Sequence, residues 1–179
     1  MNSLINVGLV YGSTRAGRFC DTVAKWAAAQ IAAYAGFILV SIDPADLPEK
    51  TAQERIAVCD AFVIVTPEYN HGYPAPLKAL IDSVGAEWHA KPVAFVSYGG
   101  ASGGLRAVEQ LRLVFAELHA VSVRDSVSFA GAWEQFDSSG ALRNPERAQR
   151  SMQTMLARLR WWAQALRTAR ATTPYETAA

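Results

Sequence analysis

Ala61-Phe62-Val63-Ile64-Val65-Thr66, running straight into Pro67-Glu68-Tyr69-Asn70, is the stretch on which the fold turns. Its apolar residues follow one another without alternating, so a strand here is covered on both faces. Working outward, Leu4 to Val10, Phe37 to Ile42 and Pro92 to Ser97 have the same character, and Ala120 to Phe129 reads as a fifth strand. Helical stretches separate them, at about Gly17–Ala35, Glu49–Cys59, Ala75–Ser83, Gly104–Leu118 and Asn144–Thr168. In the first, Phe19, Val23, Trp26, Ala27, Ile31 and Tyr34 recur near the 3.6-residue period, and Gly36 supplies a stop. Asn144 and Pro145 are suited to the cap and first position of the last helix. Strand and helix alternating five times, with doubly covered strands, predict an α/β domain. Its five-stranded parallel sheet is doubly wound, with helices on both faces.

The bulk composition fits one such domain. The chain has 179 residues, of which 51% are hydrophobic and 18% charged, and no linker or repeat divides it. Residues 1–170 are expected to form the domain and 171–179 a flexible tail. A net charge of +1, with no basic stripe outside the C-terminal helix, excludes a nucleic-acid partner. Cys20 and Cys59 have neither disulfide-framework nor zinc spacing and read as buried, reduced thiols. The first apolar run ends at Tyr11-Gly12, too short to cross a membrane, and nothing precedes it that reads as a secretion signal. A cytoplasmic protein is expected.

In a doubly wound sheet the ligand lies beyond the carboxyl ends of the strands. The first strand ends in Gly12-Ser13-Thr14-Arg15-Ala16-Gly17-Arg18. Glycines that let amides converge, a helix N-terminus, two hydroxyls and two guanidiniums make an anion site. A Gly-x-Gly-x-x-Gly dinucleotide fingerprint is missing, as is the Lys-Ser/Thr end of a P-loop. A phosphatase loop would begin with a nucleophilic Cys, and position 12 is Gly. The plain alternative is an ordinary turn with solvated arginines, but this density of donors exceeds what capping requires. After the third strand comes Thr66-Pro67-Glu68-Tyr69-Asn70-His71-Gly72-Tyr73-Pro74-Ala75-Pro76-Leu77-Lys78, aromatic and stiffened by prolines. Such a loop loses little entropy on binding a flat ligand. After the fourth comes Ser97-Tyr98-Gly99-Gly100-Ala101-Ser102-Gly103-Gly104, whose glycines admit close backbone approach.

Gly-Ser-x-Arg, then Pro-Glu-Tyr-Asn with Pro-x-Leu-Lys, then Gly-Gly-x-x-Gly-Gly, in this order between Val7 and Val127, resemble the NAD(P)H-dependent FMN reductases. That family is flavodoxin-like and includes quinone, azo-dye and chromate reductases. The resemblance implies that Ser13, Arg15 and Arg18 hold the FMN phosphate. It implies that Pro67, Glu68, Tyr69 and Asn70 line the isoalloxazine. Ser97, Gly99 and Gly100 would lie by the pyrimidine edge, with Gly103 and Gly104 shaping the loop. It further implies a homodimer or homotetramer with NADPH or NADH as reductant. Catalysis would be ping-pong, delivering hydride through FMN N5 to a flavin, quinone, azo compound or metal oxyanion. No protein residue is then required as acid or base, because the cofactor carries the chemistry. The stretch from Asp43 to Arg55 is short beside family members, where a longer loop helps cover the site. A flavodoxin-type electron carrier, or an FMN-binding sensor, is the non-enzymatic alternative. Flavodoxins are acidic with arginine-free phosphate loops, and Arg15, Arg18 and the charge of +1 argue against one.

The remaining conspicuous residues read more plainly. His71 reads first as a loop residue and second as a hydrogen-bonder near substrate, whereas His89 and His119 read as structural, and the three have no metal-ligand spacing. Glu68 either tunes the flavin or caps the following turn. Lys78 faces a partner subunit or pairs with a carboxylate. Trp161-Trp162 is expected in the core, and Arg158, Arg160, Arg167 and Arg170 on a solvated face. Trp133 and Phe136, in the excursion from Gly131 to Asn144, either close over a partner's flavin site or anchor the excursion.

Overall fold

The five apolar runs pair side by side in parallel. A computed structural model describes residues 4–177 as β1 (Ile5–Tyr11), α1 (Cys20–Ala32), β2 (Phe37–Ile42), α2 (Glu49–Ala57), β3 (Ala61–Pro67), α3 (Ala75–Asp82), β4 (Pro92–Gly99), α4 (Leu105–Glu117), β5 (Val121–Ala130), α5 (Ala132–Gln135) and α6 (Pro145–Thr172). The strand order is β2-β1-β3-β4-β5, all parallel, so the winding reverses between β1 and β3. This is the expected flavodoxin-like α/β fold, and the reversal opens a crevice above β1 and β3. The first and last residues of the expected span, 1–3 and 178–179, lie outside the described residues.

Burial separates central from edge strands. Every residue of β3, and all but the last of β4, is buried, as their unbroken apolar runs require. β2 and β5 form the edges and are only partly covered: in β2 the run of apolar residues overstates burial, and in β5 serines, Arg124 and Asp125 interrupt the apolar positions. One face of the sheet packs on α1 and α6 through Leu9, Val63, Trp26, Phe129 and Met155. The other packs on α2, α3 and α4 through Phe62, Ile64, Leu77, Leu111 and Phe115. There Trp88, on a short 3₁₀ turn that periodicity does not signal, is fully buried between Phe62 and Phe115. Its indole N–H donates to the Ile81 carbonyl at 3.0 Å, which satisfies the one polar atom the ring brings inside.

The last helix corrects two expectations. Trp161 is 62% exposed, because at its turn of α6 the sheet-facing stripe is carried by Leu159 and Ala163. Three of its arginines are not simply solvated. Arg160 donates to the Ala35 carbonyl at 2.9 Å, Arg167 to the Leu4 carbonyl at 2.7 Å, and Arg170 to the Ala90 carbonyl. Long side chains reach loop carbonyls that the sheet leaves unpaired. In the expected tail, Tyr175 packs against His119 and His89, and its hydroxyl shares a 2.8 Å hydrogen bond with His119 Nδ1.

Candidate functional site

The loop after β1 is held open from below. Gly12 donates to the Val65 carbonyl at 2.8 Å, and a Cβ on it would lie 2.6 Å from that oxygen, so only glycine lets the loop lie this close to β3. Beyond it, no backbone carbonyl among the described residues accepts from the amides of Thr14 through Phe19. Six successive donors at the mouth of a 13-residue helix therefore await an acceptor. Arg15 is exposed, and its guanidinium lies 3.7 Å from the centre of the Tyr69 ring. Ser13 is fully buried, and its hydroxyl shares a 2.9 Å hydrogen bond with the Tyr69 hydroxyl. The first loop is thus tied to the loop after β3 through one tyrosine.

Arg18 turns away from the loop mouth. It donates through Nε to Asp21 at 2.7 Å, through Nη1 to Asp43 at 2.9 Å and to the Ser13 carbonyl, and through Nη2 to Asp43. The hydrogen bond to Asp43 raises its pKa above the ordinary arginine value, against the lowering effect of burial. Two carboxylates already neutralise this guanidinium, so it braces the loop from behind. Asp43, at the carboxyl end of β2, was not singled out in the sequence; an acidic residue at that strand end, opposite two arginines, was the available signal. Burial pushes the thiol of Cys20, the first residue of α1, upward, so it remains an uncharged packing group.

After β3, Pro67 is buried and Tyr69 and Asn70 come toward the surface. Asn70 and His71 both have positive φ, 51° and 71°, and Tyr69 and Gly72 exchange backbone hydrogen bonds of 2.9 and 3.1 Å around them. This is the geometry of a two-residue hairpin turn, with histidine where glycine is preferred. The strain is held by α4: Gln110 donates to the His71 carbonyl at 2.9 Å, and Arg106 Nη1 meets His71 Nε2. Glu68 serves the same helix. Its carboxylate pairs with Arg106 Nε at 2.9 Å and accepts from the Arg106 amide at 3.1 Å, capping α4 and fixing the gap between two loops. Arg106 and Gln110 are thus supporting residues that spacing alone does not mark. Lys78 pairs with Asp82 one turn on.

After β4, Ser97 is fully buried and donates to the Gly103 carbonyl at 2.8 Å, so its hydroxyl shapes the loop from inside. Gly103 has a φ of 60°, and a Cβ on it would sit 2.3 Å from Ser128 Oγ. Gly99 and Gly100 are different: a Cβ on Gly99 would meet its first neighbour at 3.4 Å, and on Gly100 at 3.9 Å. The protein itself leaves room at these two positions. The three loops stand side by side at one end of the sheet, a donor-rich turn beside two walls with exposed backbone. Among the described residues no group of three or more His, Cys, Asp or Glu side chains could hold a metal ion, and no helix is long and apolar enough to cross a membrane.

The chain is similar to proteins of known kind along most of its length. An NAD(P)H-dependent FMN reductase of Schizosaccharomyces pombe is 35% identical over 117 residues, 54% of this chain and 58% of that protein. A quinone reductase of Pseudomonas putida is 32% identical over 170 residues, 82% of this chain and 89% of that protein. In structure, a flavoenzyme NAD(P)H:acceptor oxidoreductase of Paracoccus denitrificans superposes with a TM-score of 0.73 at 21% identity, over 90% of this chain and 98% of that one. That likeness establishes the fold. Residues 5–134 match the sequence profile of NADPH-dependent FMN reductase, and they contain all three loops. The chain belongs to the NADPH-dependent FMN reductase family.

Proposed function

We propose that the protein is an NAD(P)H-dependent FMN oxidoreductase that passes reducing equivalents to a small-molecule acceptor. The observation that carries this reading is the row of amides from Thr14 to Phe19, without backbone acceptors, beside the exposed guanidinium of Arg15. A phosphate satisfies both, and two loops that accept a flat ring stand next to it. Arg15 and the amides hold the phosphate; Ser13 and Arg18 set the loop's shape, Ser13 through Tyr69 and Arg18 through the Ser13 carbonyl. Pro67, Tyr69 and Asn70 line the ring on one side, with Glu68 fixing the spacing. Gly99 and Gly100 present bare backbone to its polar edge, while Ser97 and Gly103 keep that backbone in place.

Bound FMN supplies the hydride-accepting and hydride-donating centre. The residues of the chain bind its phosphate, orient the ring and leave one face open, so that reductant and acceptor use that face in turn. The relatives named as quinone reductases support a quinone among the acceptors. A homodimer or homotetramer is the assembly we propose, on the strength of the family to which the chain belongs. Two free, buried cysteines support a reducing, cytoplasmic setting.

Purification, reconstitution with FMN and a visible spectrum test the cofactor. NADH and NADPH oxidation with flavin, quinone, azo and ferricyanide acceptors tests the activity. A yellow complex with acceptor-dependent turnover is expected. A yellow complex without turnover would make the protein an electron carrier or sensor instead.

A further inference from the structure

The excursion between β5 and α6 is short, rigid and carries an indole outward. Gly131 opens α5 with a φ of 58°, and its amide donates to the Gly100 carbonyl at 3.0 Å. Phe136 is 3% exposed and packs edge-on to Phe19 and Phe129, with ring centres 5.7 and 5.2 Å apart. Asp137 closes the turn by accepting from the amides of Ser139 and Ala141 at 2.8 and 3.0 Å. Gln135 donates to the Ala130 carbonyl at 2.6 Å. The excursion is therefore anchored at its centre and sewn to the loop after β4.

Trp133, on α5 of this fixed platform, is 60% exposed. Its Cη2 atom lies 3.9 Å from the point a Cβ on Gly100 would occupy. An indole held in water by a fixed support keeps a flat apolar face free for a ligand. At the far end of the same loop Leu105 is 50% exposed. Arg106, next to it, is paired with Glu68.

We propose that Trp133 is a specificity-determining wall of the acceptor site, against which an uncharged aromatic acceptor of the quinone class packs beside Gly99 and Gly100. This rests on the FMN oxidoreductase reading and goes beyond it by choosing among acceptors. A flat ring stacked on an indole gains dispersion and quadrupole attraction that an inorganic ion does not.

The test uses the FMN-loaded protein with NADPH and two acceptors, menadione and ferricyanide, in the wild type, Trp133→Ala and Trp133→Phe. The ratio of kcat/KM for menadione to that for ferricyanide is expected to fall about five- to tenfold in Trp133→Ala, mainly through KM for menadione, and to recover largely in Trp133→Phe. An unchanged ratio would overturn the assignment, as would conversion of a wild-type oligomer to a monomer by Trp133→Ala, which would make Trp133 a subunit contact. Titration with FMN gives a readout independent of turnover. Quenching of tryptophan emission should be weaker in Trp133→Phe than in the wild type at an equal dissociation constant, and equal quenching would contradict the proposal. A wild type that fails to bind FMN would remove the function itself; a yellow, active wild type with an unchanged ratio would remove only the role of Trp133.

Discussion

The two ends of the same sheet treat their polar groups in opposite ways. At the amino end, around the starts of β3 and β4, donors and acceptors are spent on one another. Asp60 accepts from the Asn6 amide at 3.0 Å and pairs with Arg167 and Arg170 at 3.2 and 3.8 Å. Lys91, 8% exposed, donates to the carbonyls of Ile56 and Ala57 at 3.3 and 3.1 Å. At the carboxyl end the amides of Thr14 to Phe19 meet no backbone acceptor among the described residues, and Arg15 lies exposed on a tyrosine face. Both ends are rich in arginine, so residue type alone does not separate them. What separates them is one loop: at the carboxyl end Arg18 and Glu68 are paired within the protein, whereas the first-loop amides meet no backbone acceptor among the described residues, and it is there that the proposed phosphate would sit.

The amino end should therefore answer mutation with lost stability and little else. The largest effect is expected for Asp60→Asn, which weakens the pairing of Asp60 with two partly buried arginines and the hydrogen bond it accepts from Asn6. A loss of about 2–3 kcal/mol is expected from denaturant unfolding, below the range for a fully buried pair because the arginines keep some exposure. A loss below about 0.5 kcal/mol would mean that this end is not the structural one.

Next in size is a pH effect. Burial pulls Lys91 down from 10.5 to about 8. Above about pH 8 the folded chain has shed a proton that the unfolded chain still holds, so stability should rise with pH from there. Burial also pushes the Cys59 thiol up from 9.0 to about 12, and above pH 9 the folded chain keeps a proton that the unfolded chain has lost. This second effect lowers stability as pH rises. The net expectation is a gain of roughly 0.5 kcal/mol between pH 8 and 9 that turns into a loss above it, where the Cys20 thiol, also raised by burial, adds to the effect of Cys59. Lys91→Met should abolish the gain, as read from unfolding midpoints at each pH; a variant with the wild-type slope would dismiss Lys91 as its source. The smallest effect is expected for Tyr175→Phe, which removes the hydroxyl bonded to His119 and should cost about 0.5–1 kcal/mol in thermal unfolding.

The sequence was most legible where local pattern and burial agree. β3 begins where its apolar run begins, because the run is itself the strand's burial. It was less legible for α1, which starts at Cys20 and not near Gly17, since the preceding residues spend their backbone on the loop. The three loops were readable as a group, as glycines, hydroxyls and prolines announce backbone shape directly. Side-chain direction was not readable. Arg15 and Arg18 stand three residues apart in one motif, yet Asp43, distant in sequence, takes one and leaves the other. Ser97 points inward because the Gly103 carbonyl lies there. Arg160, Arg167 and Arg170 look like a solvated helix face until the loops they reach are folded beside them. Each of these depends on a partner brought from elsewhere in the chain.

The most direct test of the contrast is the FMN dissociation constant of Arg15→Ala and Asp60→Asn, measured by flavin fluorescence beside the wild type under conditions where all three are folded. Loss of a hydrogen bond to a charged group predicts a weakening of about 1.5–3 kcal/mol for Arg15→Ala, roughly 10- to 150-fold. Asp60→Asn should stay within about twofold of the wild type, a shift well under 1 kcal/mol. Unchanged binding in Arg15→Ala, or an equal loss in both variants, would contradict the assignment of FMN to the carboxyl end of the sheet.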